Sequence, residues 1–141
     1  MTRVKEVMSS RLYTIARDDT LESAARTMKD NKVGMLPVIN SDGTIIGTVT
    51  DRDIAVRAVA RGLDPNRRVE EAMTAGCEVC DDDESVIDVA RQMTDKKLRR
   101  VVVVSHDDKR PTGVISIGDL AVNADSRRIA GEVLSKVAVH R

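Results

Sequence analysis

The sequence predicts an α+β fold in which a β-α-β-β-α unit occurs twice. Three observations support this prediction. The two halves of the chain match one another along their length. Within each half, short apolar runs typical of strands alternate with stretches of helical periodicity in the same order. Each half also contains a similar segment, GTVTDRD at 47–53 and GVISIGD at 113–119, where a predicted strand gives way to a helix.

The duplication becomes visible when the chain is shifted against itself. At a shift of 65 positions, VKEVM at 4–8 falls on VEEAM at 69–73. One extra residue near 109–112 raises the shift to 66, which aligns residues 47–53 with residues 113–119. Because two copies are too few for a solenoid, we expect a fused pair whose halves bury each other's apolar faces.

The alignment of the halves predicts the limits of the repeats. Pro65 suits a break between them, since proline interrupts regular structure. The predicted segments are a first repeat at 1–62, a linker at 63–68, a second repeat at 69–124, and a C-terminal helix and tail at 125–141.

The first repeat opens with a predicted strand at 12–15 and a helix at 18–32. Asp19 followed by Glu22 resembles a capping box at the start of that helix. Its predicted buried face consists of four residues at helical spacing, Leu21, Ala24, Ala25 and Met28.

The rest of the first repeat reads as a hairpin and a helix. An Asp-Gly turn at 41–43 separates apolar runs at 35–40 and 44–50, which is a hairpin signal. The helix at 51–62 is expected to end at Gly62, because glycine favours the left-handed C-cap conformation. The residues available for burial on this helix are Ile54, Val56, Ala58 and Val59.

The second repeat shows the same order of elements. Asp83 or Glu84 is expected to cap its first helix. The buried face of that helix is predicted to consist of Val86, Val89, Ala90 and Met93. The predicted strands span 77–80, 99–104 and 112–117, and the predicted helices span 83–97, 118–124 and 126–137. The last helix is expected to cover a sheet edge or a partner surface.

Composition limits the classes of function. Lys and Arg total 23, as do Asp and Glu, and this balance argues against a nucleic-acid binder. Tyr13 is the only aromatic residue, which argues against base stacking along a single strand. Two cysteines are too few for a secreted disulfide framework, and the chain has no apolar run of membrane-spanning length. We therefore expect a cytoplasmic protein without a membrane or nucleic-acid partner.

The element order, the spacing and the two copies of Gly-h-x-[Ser/Thr]-x-x-Asp, where h is an apolar residue, resemble the CBS domain family. A tandem pair of such domains is called a Bateman module. The resemblance spans about residues 1–124, and GTVTDRDI followed by GLDPN is similar to small stand-alone bacterial members, some of them stress-linked. It implies two CBS repeats packed as a pseudo-twofold pair. It also implies a disc-shaped homodimer formed through the helices of two such pairs.

The hydroxyl-x-x-Asp segments suggest a ligand chemistry. If Thr50 ends a strand and Asp53 lies in the first helical turn, backbone N–H groups stabilise the carboxylate there. Such a carboxylate can accept hydrogen bonds from the two hydroxyls of a ribose, and Ser116 with Asp119 repeats the arrangement. A structural alternative stays open, because Ser, Thr and Asp are ordinary residues at helix N-termini. The resemblance favours the ligand role, since in CBS pairs this Asp commonly binds the ribose of an adenosine nucleotide.

The resemblance also implies a base pocket and phosphate contacts. Tyr13 is a candidate for stacking on adenine, with a half-buried strand residue as the alternative. Arg99 and Arg100 are candidates for phosphate contacts, with a solvated charged edge as the alternative. The candidate ligand-binding residues are Thr50, Asp53, Ser116, Asp119, Arg99, Arg100, Tyr13, Thr14, Ile15, Met35, Pro37, Val79 and Val101.

The two sites are not expected to be equivalent. The uncharged Gly34 and Met35 occupy the first-repeat positions that correspond to Arg99 and Arg100. The second repeat is therefore predicted to be better equipped for a phosphate.

Other residues suggest metal or redox chemistry less directly. Cys77 and Cys80 form a Cys-x-x-Cys pair, but a zinc site needs four ligands and a second pair is missing. Residues three apart on a strand also point to opposite faces. We expect two structural cysteines and no metal site, with a redox or metal function as the alternative. The acidic run at 81–84 is expected to be a helix cap and solvated surface.

Together these features predict a regulatory module that binds an adenosine nucleotide such as AMP, ADP or ATP, with or without magnesium. The ligand is expected in clefts between the repeats, and its binding is expected to change the conformation seen by a separate target protein. S-adenosylmethionine and NAD stay open because each presents a ribose diol. No nucleophile, base and orienting group emerge together, so we expect no enzyme activity. The alternative is a structural or interaction protein, such as a stress-related scaffold, without nucleotide binding.

Overall fold

The computed structural model describes residues 1–123 and 127–139, apart from the side chains of residues 129, 138 and 139. The chain divides into two compact units. The first-repeat unit comprises Tyr13–Cys77, and the second-repeat unit comprises Met1–Leu12 together with the chain from Glu78 onward. Residues 124–126 and 140–141, near the predicted start and at the end of the C-terminal tail, lie outside the described residues.

The elements follow the predicted order in both repeats. The strands are β1 (Ile15–Ala16), β2 (Met35–Ile39), β3 (Ile45–Thr50), β4 (Thr74–Ala75), β5 (Val79–Asp81), β6 (Arg100–Val104) and β7 (Pro111–Ser116). The α-helices are α1 (Val4–Val7), α2 (Leu21–Asn31), α3 (Asp51–Asp53), α4 (Val86–Lys96), α5 (Ile117–Ala121) and α6 (Arg127–Val139). The predicted α+β class is therefore confirmed.

Each unit contains one sheet of the same pattern. In the first-repeat unit the strand order is β1-β2-β3-β4, with β1 parallel to β2 and the other pairs antiparallel. In the second-repeat unit the order is β5-β6-β7, again with a parallel first pair and an antiparallel second pair. A single antiparallel bridge between Ser9 and Val114 takes the place that β4 occupies in the other sheet.

The two long helices of the repeats bury the predicted apolar faces. Leu21, Ala24 and Met28 of α2 are buried, while Ala25 is exposed, contrary to the prediction. All four predicted residues of α4 are fully buried, namely Val86, Val89, Ala90 and Met93. The α4 face packs in the core of the second-repeat unit, and Ala24 and Met28 pack against strand residues in the core of the first-repeat unit. Leu21 lies in a smaller cluster with Ala58 and Ala72.

Both helices begin at a hydroxyl residue, and the predicted caps are wrong. The Oγ1 atom of Thr20 accepts a hydrogen bond from the backbone N–H of Ser23 at 3.1 Å and so caps α2, in place of the predicted Asp19 and Glu22. The Oγ atom of Ser85 caps α4 in the same way, in place of Asp83 or Glu84. Asp19 and Glu84 accept instead from backbone N–H groups of the preceding turn, those of Ala16 and Asp81. Glu22 pairs with Arg26, and Asp83 pairs with Lys5.

Two further predictions in the first repeat need correction. The strand predicted at 12–15 is only β1, which starts at its last residue. The predicted helix at 51–62 begins as α3 but continues as a π-helical turn at Ile54–Ala58 and a 3₁₀ turn at Val59–Arg61. Because these turns depart from the 3.6-residue period, Ala58 is buried whereas Val56 and Val59 are exposed. Gly62 does end the segment in the left-handed conformation, at a φ of 73°.

The segment at the start of each repeat packs into the unit of the other repeat. Val4 of α1 is fully buried in the core of the second-repeat unit, and Val86 donates its backbone N–H to the carbonyl of Thr2. Val69 lies in the core of the first-repeat unit and donates its backbone N–H to the carbonyl of Asp19 at 2.8 Å. The segments VKEVM and VEEAM, which align in the sequence, are thus exchanged between the units. The limits of the repeats along the sequence stay a prediction.

Glycine in the strand before each hydroxyl-x-x-Asp allows this exchanged segment to approach. A Cβ atom on Gly113 would lie 2.5 Å from the carbonyl oxygen of Ser9 and 2.9 Å from the sulfur of Met8. A Cβ atom on Gly47 would meet the carbonyl oxygen of Thr74 in the same manner. The repeated glycine is therefore explained by a close backbone crossing.

The C-terminal helix packs within its own unit. α6 lies against α4 and α5, where it buries Ala130, Val133 and Val137. It covers helices rather than a sheet edge, while a partner surface, the other expectation, stays a prediction. Leu134 remains half exposed. In the part of the chain that is described, no helix has both the length and the apolar character needed to cross a membrane.

Candidate functional site

Each hydroxyl-x-x-Asp segment forms a reciprocal capping box at the end of a strand. Thr50 Oγ1 accepts from the backbone N–H of Asp53, and Thr50 donates its own N–H to Asp53 Oδ2, both at 3.0 Å. Ser116 and Asp119 form the same pair of bonds, at 3.2 and 2.9 Å. These bonds hold each carboxylate at a fixed place beside the strand end. The structural role that the sequence left open is therefore real.

The capping bonds use one oxygen of each carboxylate. Asp119 Oδ2 accepts from both the backbone N–H and the hydroxyl of Ser116. Asp53 Oδ2 accepts from the backbone N–H of Thr50, and its Oδ1 lies 3.8 Å from the Nε atom of Arg57. The cap itself does not use Oδ1, so a carboxylate can hold the helix start and still accept a ligand hydroxyl.

The strand register places different residues beside the two hydroxyls. Met35 lies directly opposite Thr50 in the β2–β3 pair, and Arg100 lies directly opposite Ser116 in the β6–β7 pair. Residues opposite one another in an antiparallel pair share a face, with Cβ atoms about 5 Å apart. The second-repeat unit therefore has a guanidinium next to its hydroxyl, and the first-repeat unit has a thioether there.

Backbone hydrogen bonds confirm that these positions correspond. The backbone N–H of Asp51 donates to the carbonyl of Gly34 at 3.0 Å. The backbone N–H of Ile117 donates to the carbonyl of Arg99 at the same distance. The residue after each hydroxyl is thus tied to the residue before the neighbouring strand.

The other predicted residues of the first repeat divide between the two faces of their sheet. Leu36 and Val38 lie in the core, so the alternating Met35 and Pro37 share the opposite face with Thr50. The Ile15 side chain is buried in the core, which leaves only its backbone for a ligand. Tyr13 and Thr14 precede β1 and are half-buried, and Tyr13 also packs against the core.

The second repeat shows the same division. Val101 lies in the core, so that its side chain faces away from Arg100 and Ser116. Val79 is 38% exposed and lies opposite Val102 on the face of Arg100. Arg99 and Arg100 are both exposed. The strand-end groups thus share one face of this sheet, apart from Val101.

Sequence reasoning missed Arg57. This residue stands one helical turn after Asp53, a spacing at which side chains of opposite charge meet. Its Nη1 atom donates to the carbonyl of Met73 at 3.2 Å. The first-repeat unit therefore does have a cation beside its Asp, on the helix rather than on the strand. The i, i+4 spacing in the sequence was the available signal.

The acidic run 81–84 takes part in a second polar cluster, at the carboxyl end of β5. Asp81 Oδ2 lies 2.9 Å from both His106 Nδ1 and Lys109 Nζ. Bonds from Lys109, the backbone N–H of Asp83 and His106 hold the pKa of the Asp81 carboxyl well below its usual range. The same carboxylate raises the pKa of His106. The run is thus paired with cations rather than simply solvated.

The two cysteines differ in their surroundings. Cys80 lies in the core of the second-repeat unit, whereas Cys77 is half-buried. Burial, with a smaller effect from nearby carboxylates, raises the pKa of the Cys80 thiol to about 12. Cys80 is therefore a protonated thiol at neutral pH, which disfavours nucleophilic or redox chemistry. Among residues 1–123 and 127–139, no group of three or more His, Cys, Asp or Glu residues is arranged to hold a metal ion.

Comparison with known proteins identifies the family. The model of the CBS domain matches residues 4–59 and 69–124. The chain belongs to the CBS domain family and carries two such domains in tandem, which confirms the resemblance.

Several relatives cover most of the chain. The uncharacterized protein YlbB of Bacillus subtilis is 34% identical over 139 residues, which is 98% of this chain and 93% of YlbB. Hypoxic response protein 1 of Mycobacterium tuberculosis is 30% identical over 122 residues, which is 86% of this chain and 84% of that protein.

Solved structures show the same fold. The crystal structure of Hypoxic Response Protein I, with two coordinated zinc ions, has a TM-score of 0.74 at 31% identity and covers 85% of this chain and 97% of its own. The CBS domain protein PAE2072 from Pyrobaculum aerophilum, complexed with AMP, has a TM-score of 0.73 at 25% identity. That match covers 98% of this chain and 99% of PAE2072.

Proposed function

We propose that this protein is a regulatory module that binds an adenosine-type ligand through Thr50 with Asp53 and through Ser116 with Asp119. The observation that carries the proposal is the pair of matching strand ends, where each carboxylate is held through Oδ2 while the cap leaves Oδ1 unused. A ribose diol suits such an oxygen, because hydrogen bonds to a charged acceptor stabilise more than neutral ones. The AMP complex of PAE2072 supports the same ligand class.

The proposed ligand differs between the two units in its phosphate contacts. Arg100, opposite Ser116, offers a planar guanidinium to a phosphate, with Arg99 beside it. Met35 takes the corresponding place in the first-repeat unit. Pro37 and Val79 lie on the proposed ligand faces, whereas Ile15 and Val101 contribute through their backbone.

Thermal unfolding with a ligand panel tests the proposal. The panel contains AMP, ADP, ATP with and without magnesium, S-adenosylmethionine and NAD. A ligand at 100 times its dissociation constant adds about 2.7 kcal/mol to the free energy of unfolding. We expect a shift with at least one member, and a smaller shift with 2′-deoxyadenosine monophosphate than with AMP. Loss of one ribose hydroxyl tests the diol contact without changing the protein.

Asp53→Asn and Asp119→Asn assign the sites. Asparagine keeps an oxygen that can accept the capping bond but removes the charge. We therefore expect a large loss of the ligand-induced shift in melting temperature and only a small decrease in the melting temperature of the free protein. Thr20→Ala is the matched control, since it removes the cap of α2 and leaves both hydroxyl-x-x-Asp segments unchanged. We expect Thr20→Ala to lower the melting temperature of the free protein. The additional shift caused by the ligand is expected to stay the same.

A structural or interaction protein is the second candidate. The capping boxes favour it, since they give both carboxylates a role in the absence of ligand. The absence of any shift across the panel at millimolar concentration would support the scaffold and reject the sensor. The proposal of a regulatory module also includes a disc-shaped homodimer, a separate target protein, a cytoplasmic location and the lack of enzyme activity.

A further inference from the structure

Arg57 has a position in the first-repeat unit that the proposed ligand contacts do not explain. Its Nε atom lies 3.8 Å from Asp53 Oδ1, and its Nη1 atom donates to the carbonyl of Met73. The Asp53 side chain is 14% exposed and that of Arg57 is 49% exposed. The guanidinium therefore has one hydrogen bond, to the Met73 carbonyl, and a longer ion pair with the Asp53 oxygen that a ribose diol would need.

The contact with Asp53 is weak enough for a ligand to replace. A separation of 3.8 Å exceeds hydrogen-bond distance, and the Arg57 side chain is half exposed, so that water screens its attraction to Asp53. The long side chain of Arg57 can change rotamer without moving the backbone. A diol that takes Asp53 Oδ1 would thus release the guanidinium within the same site.

The charges around Asp53 explain why a free guanidinium would favour an anionic ligand. Asp51, directly after Thr50, accepts the backbone N–H of Arg52 at Oδ1, and its carboxylate lies beside Gly34. Met35 adds no charge. The helical turn that would receive an anionic ligand thus carries two carboxylates, Asp51 and Asp53, and one cation, Arg52, so that Arg57 adds a second positive charge.

The second-repeat unit has its cation at a different position. Asn123 occupies the position that corresponds to Arg57 at a shift of 66, and Ile117 corresponds to Asp51. Its cation is Arg100, across the strand from Ser116. The helix Arg is therefore particular to the unit whose strand lacks one.

We propose that Arg57 exchanges partners when a ligand binds at Thr50 and Asp53. In the ligand-free protein it pairs with Asp53 Oδ1, and in the complex the ribose diol takes that oxygen while Arg57 pairs with the 5′-phosphate. The inference rests on the proposed function. A nucleoside only displaces the guanidinium, whereas a nucleotide displaces it and also provides a new anionic partner. Arg57 thereby selects nucleotides over nucleosides at this site.

Calorimetric titration of AMP and adenosine tests the exchange. All proteins carry Asp119→Asn, so that binding reports the first-repeat site. We expect the parent to prefer AMP. Arg57→Gln is expected to weaken AMP binding about tenfold, because a charge-assisted bond is lost, and to leave adenosine binding equal or tighter. Arg57→Lys is expected to retain part of the preference, since the charge remains but the planar fork does not.

The controls separate the inference from the proposed function. Arg61→Gln changes an exposed Arg one turn further along and is expected to leave the AMP-to-adenosine affinity ratio unchanged. If the parent binds both ligands and Arg57→Gln keeps the ratio, or tightens AMP, the exchange is overturned while the site stands. If the parent binds neither ligand, the site itself is rejected and the exchange with it. Circular dichroism checks folding, and Arg57→Lys preserves the test should Arg57→Gln unfold.

Discussion

Asp53 and Asp119 combine a structural and a chemical role in single residues. Each carboxylate holds a helix start through Oδ2, and this bond fixes the direction in which Oδ1 is offered. A loose surface Asp would lose side-chain entropy on binding a diol, whereas a capped Asp has already lost it on folding. The capping bond thus prepares the carboxylate for the proposed ligand. For this reason a substitution that removes the carboxylate would disturb the cap and the ligand contact together, whereas Asp→Asn removes the charge and keeps a capping oxygen.

His106 gives a pH-dependent contribution to stability at the residue scale. Its pKa is raised by Asp81, so its stabilising effect is complete below its unfolded pKa of about 6.5 and disappears as pH rises through the higher folded value. The neighbouring Asp81 has a lowered pKa and stays ionised across this window. We expect His106→Gln to lower the urea midpoint more at about pH 5.5 than at about pH 8.5.

Lys109 supplies the control for this prediction. It contacts the same Asp81 oxygen as His106, and its raised pKa keeps it charged throughout the window. Lys109→Gln is therefore expected to lower stability at both pH values, and by less at about pH 5.5, where protonated His106 repels Lys109, so its pH trend is opposite to that of His106→Gln. Asp83 also raises the His106 pKa, while Lys109 lowers it, and high salt is expected to reduce the effect because the cluster is exposed. An equal cost of His106→Gln at both pH values would contradict the assignment.

Sequence reasoning identified the repeated Thr, Ser and Asp residues but misjudged several neighbours. The hydroxyl-x-x-Asp segments stood out because they are duplicated and local, with all bonds within three residues. The caps of α2 and α4 were misplaced by one or two residues, since Asp, Ser and Thr are all acceptable caps and the choice depends on where the helix starts. His106 and Asp81 meet across 25 residues, a distance that no local pattern reveals.

At the scale of elements, the close backbone crossing at Gly113 predicts that alanine destabilises this strand position, whereas alanine at Gly131 in α6 is stabilising. Gly113→Ala would place a methyl group against the Ser9 carbonyl, and we expect overpacking to lower the free energy of unfolding by about 1–3 kcal/mol. Gly131→Ala lies within α6 with open space around it and is expected to stabilise by about 0.5–1 kcal/mol. Urea unfolding measures both. A neutral Gly113→Ala would mean that the Met1–Leu12 segment does not press on β7.

Element types were predictable because burial leaves a period in the sequence. α4 follows the 3.6-residue pattern, and all four predicted residues are buried. The segment after Asp53 does not follow this period. It consists of a π-helical turn and a 3₁₀ turn, and in these turns the angle between successive side chains differs from that in an α-helix. Val56 and Val59 consequently face solvent although they suit an apolar helix face.

At the scale of the whole molecule, the exchange of segments was beyond sequence reasoning. Helical and strand periods report local burial, whereas the core that Val4 joins depends on the path of the chain. The repeat alignment assigns VKEVM to the first repeat, yet its hydrogen bonds run to Asp82 and Glu84. The duplication thus predicted the fold of each repeat but not the composition of each compact unit.

This exchange predicts where a core substitution acts. Val4→Ala and Val69→Ala each remove buried methyl groups, at a cost of about 2 kcal/mol. Val4→Ala is expected to increase hydrogen exchange in β6 and β7, because Val4 packs in that core, and Val69→Ala is expected to increase it in β2 and β3. Val56→Ala, at an exposed position, is the control and is expected to change neither. Increased exchange in the sheet of the same sequence repeat would contradict the exchanged packing, and an equal increase in both sheets would show that the two cores open as one cooperative unit.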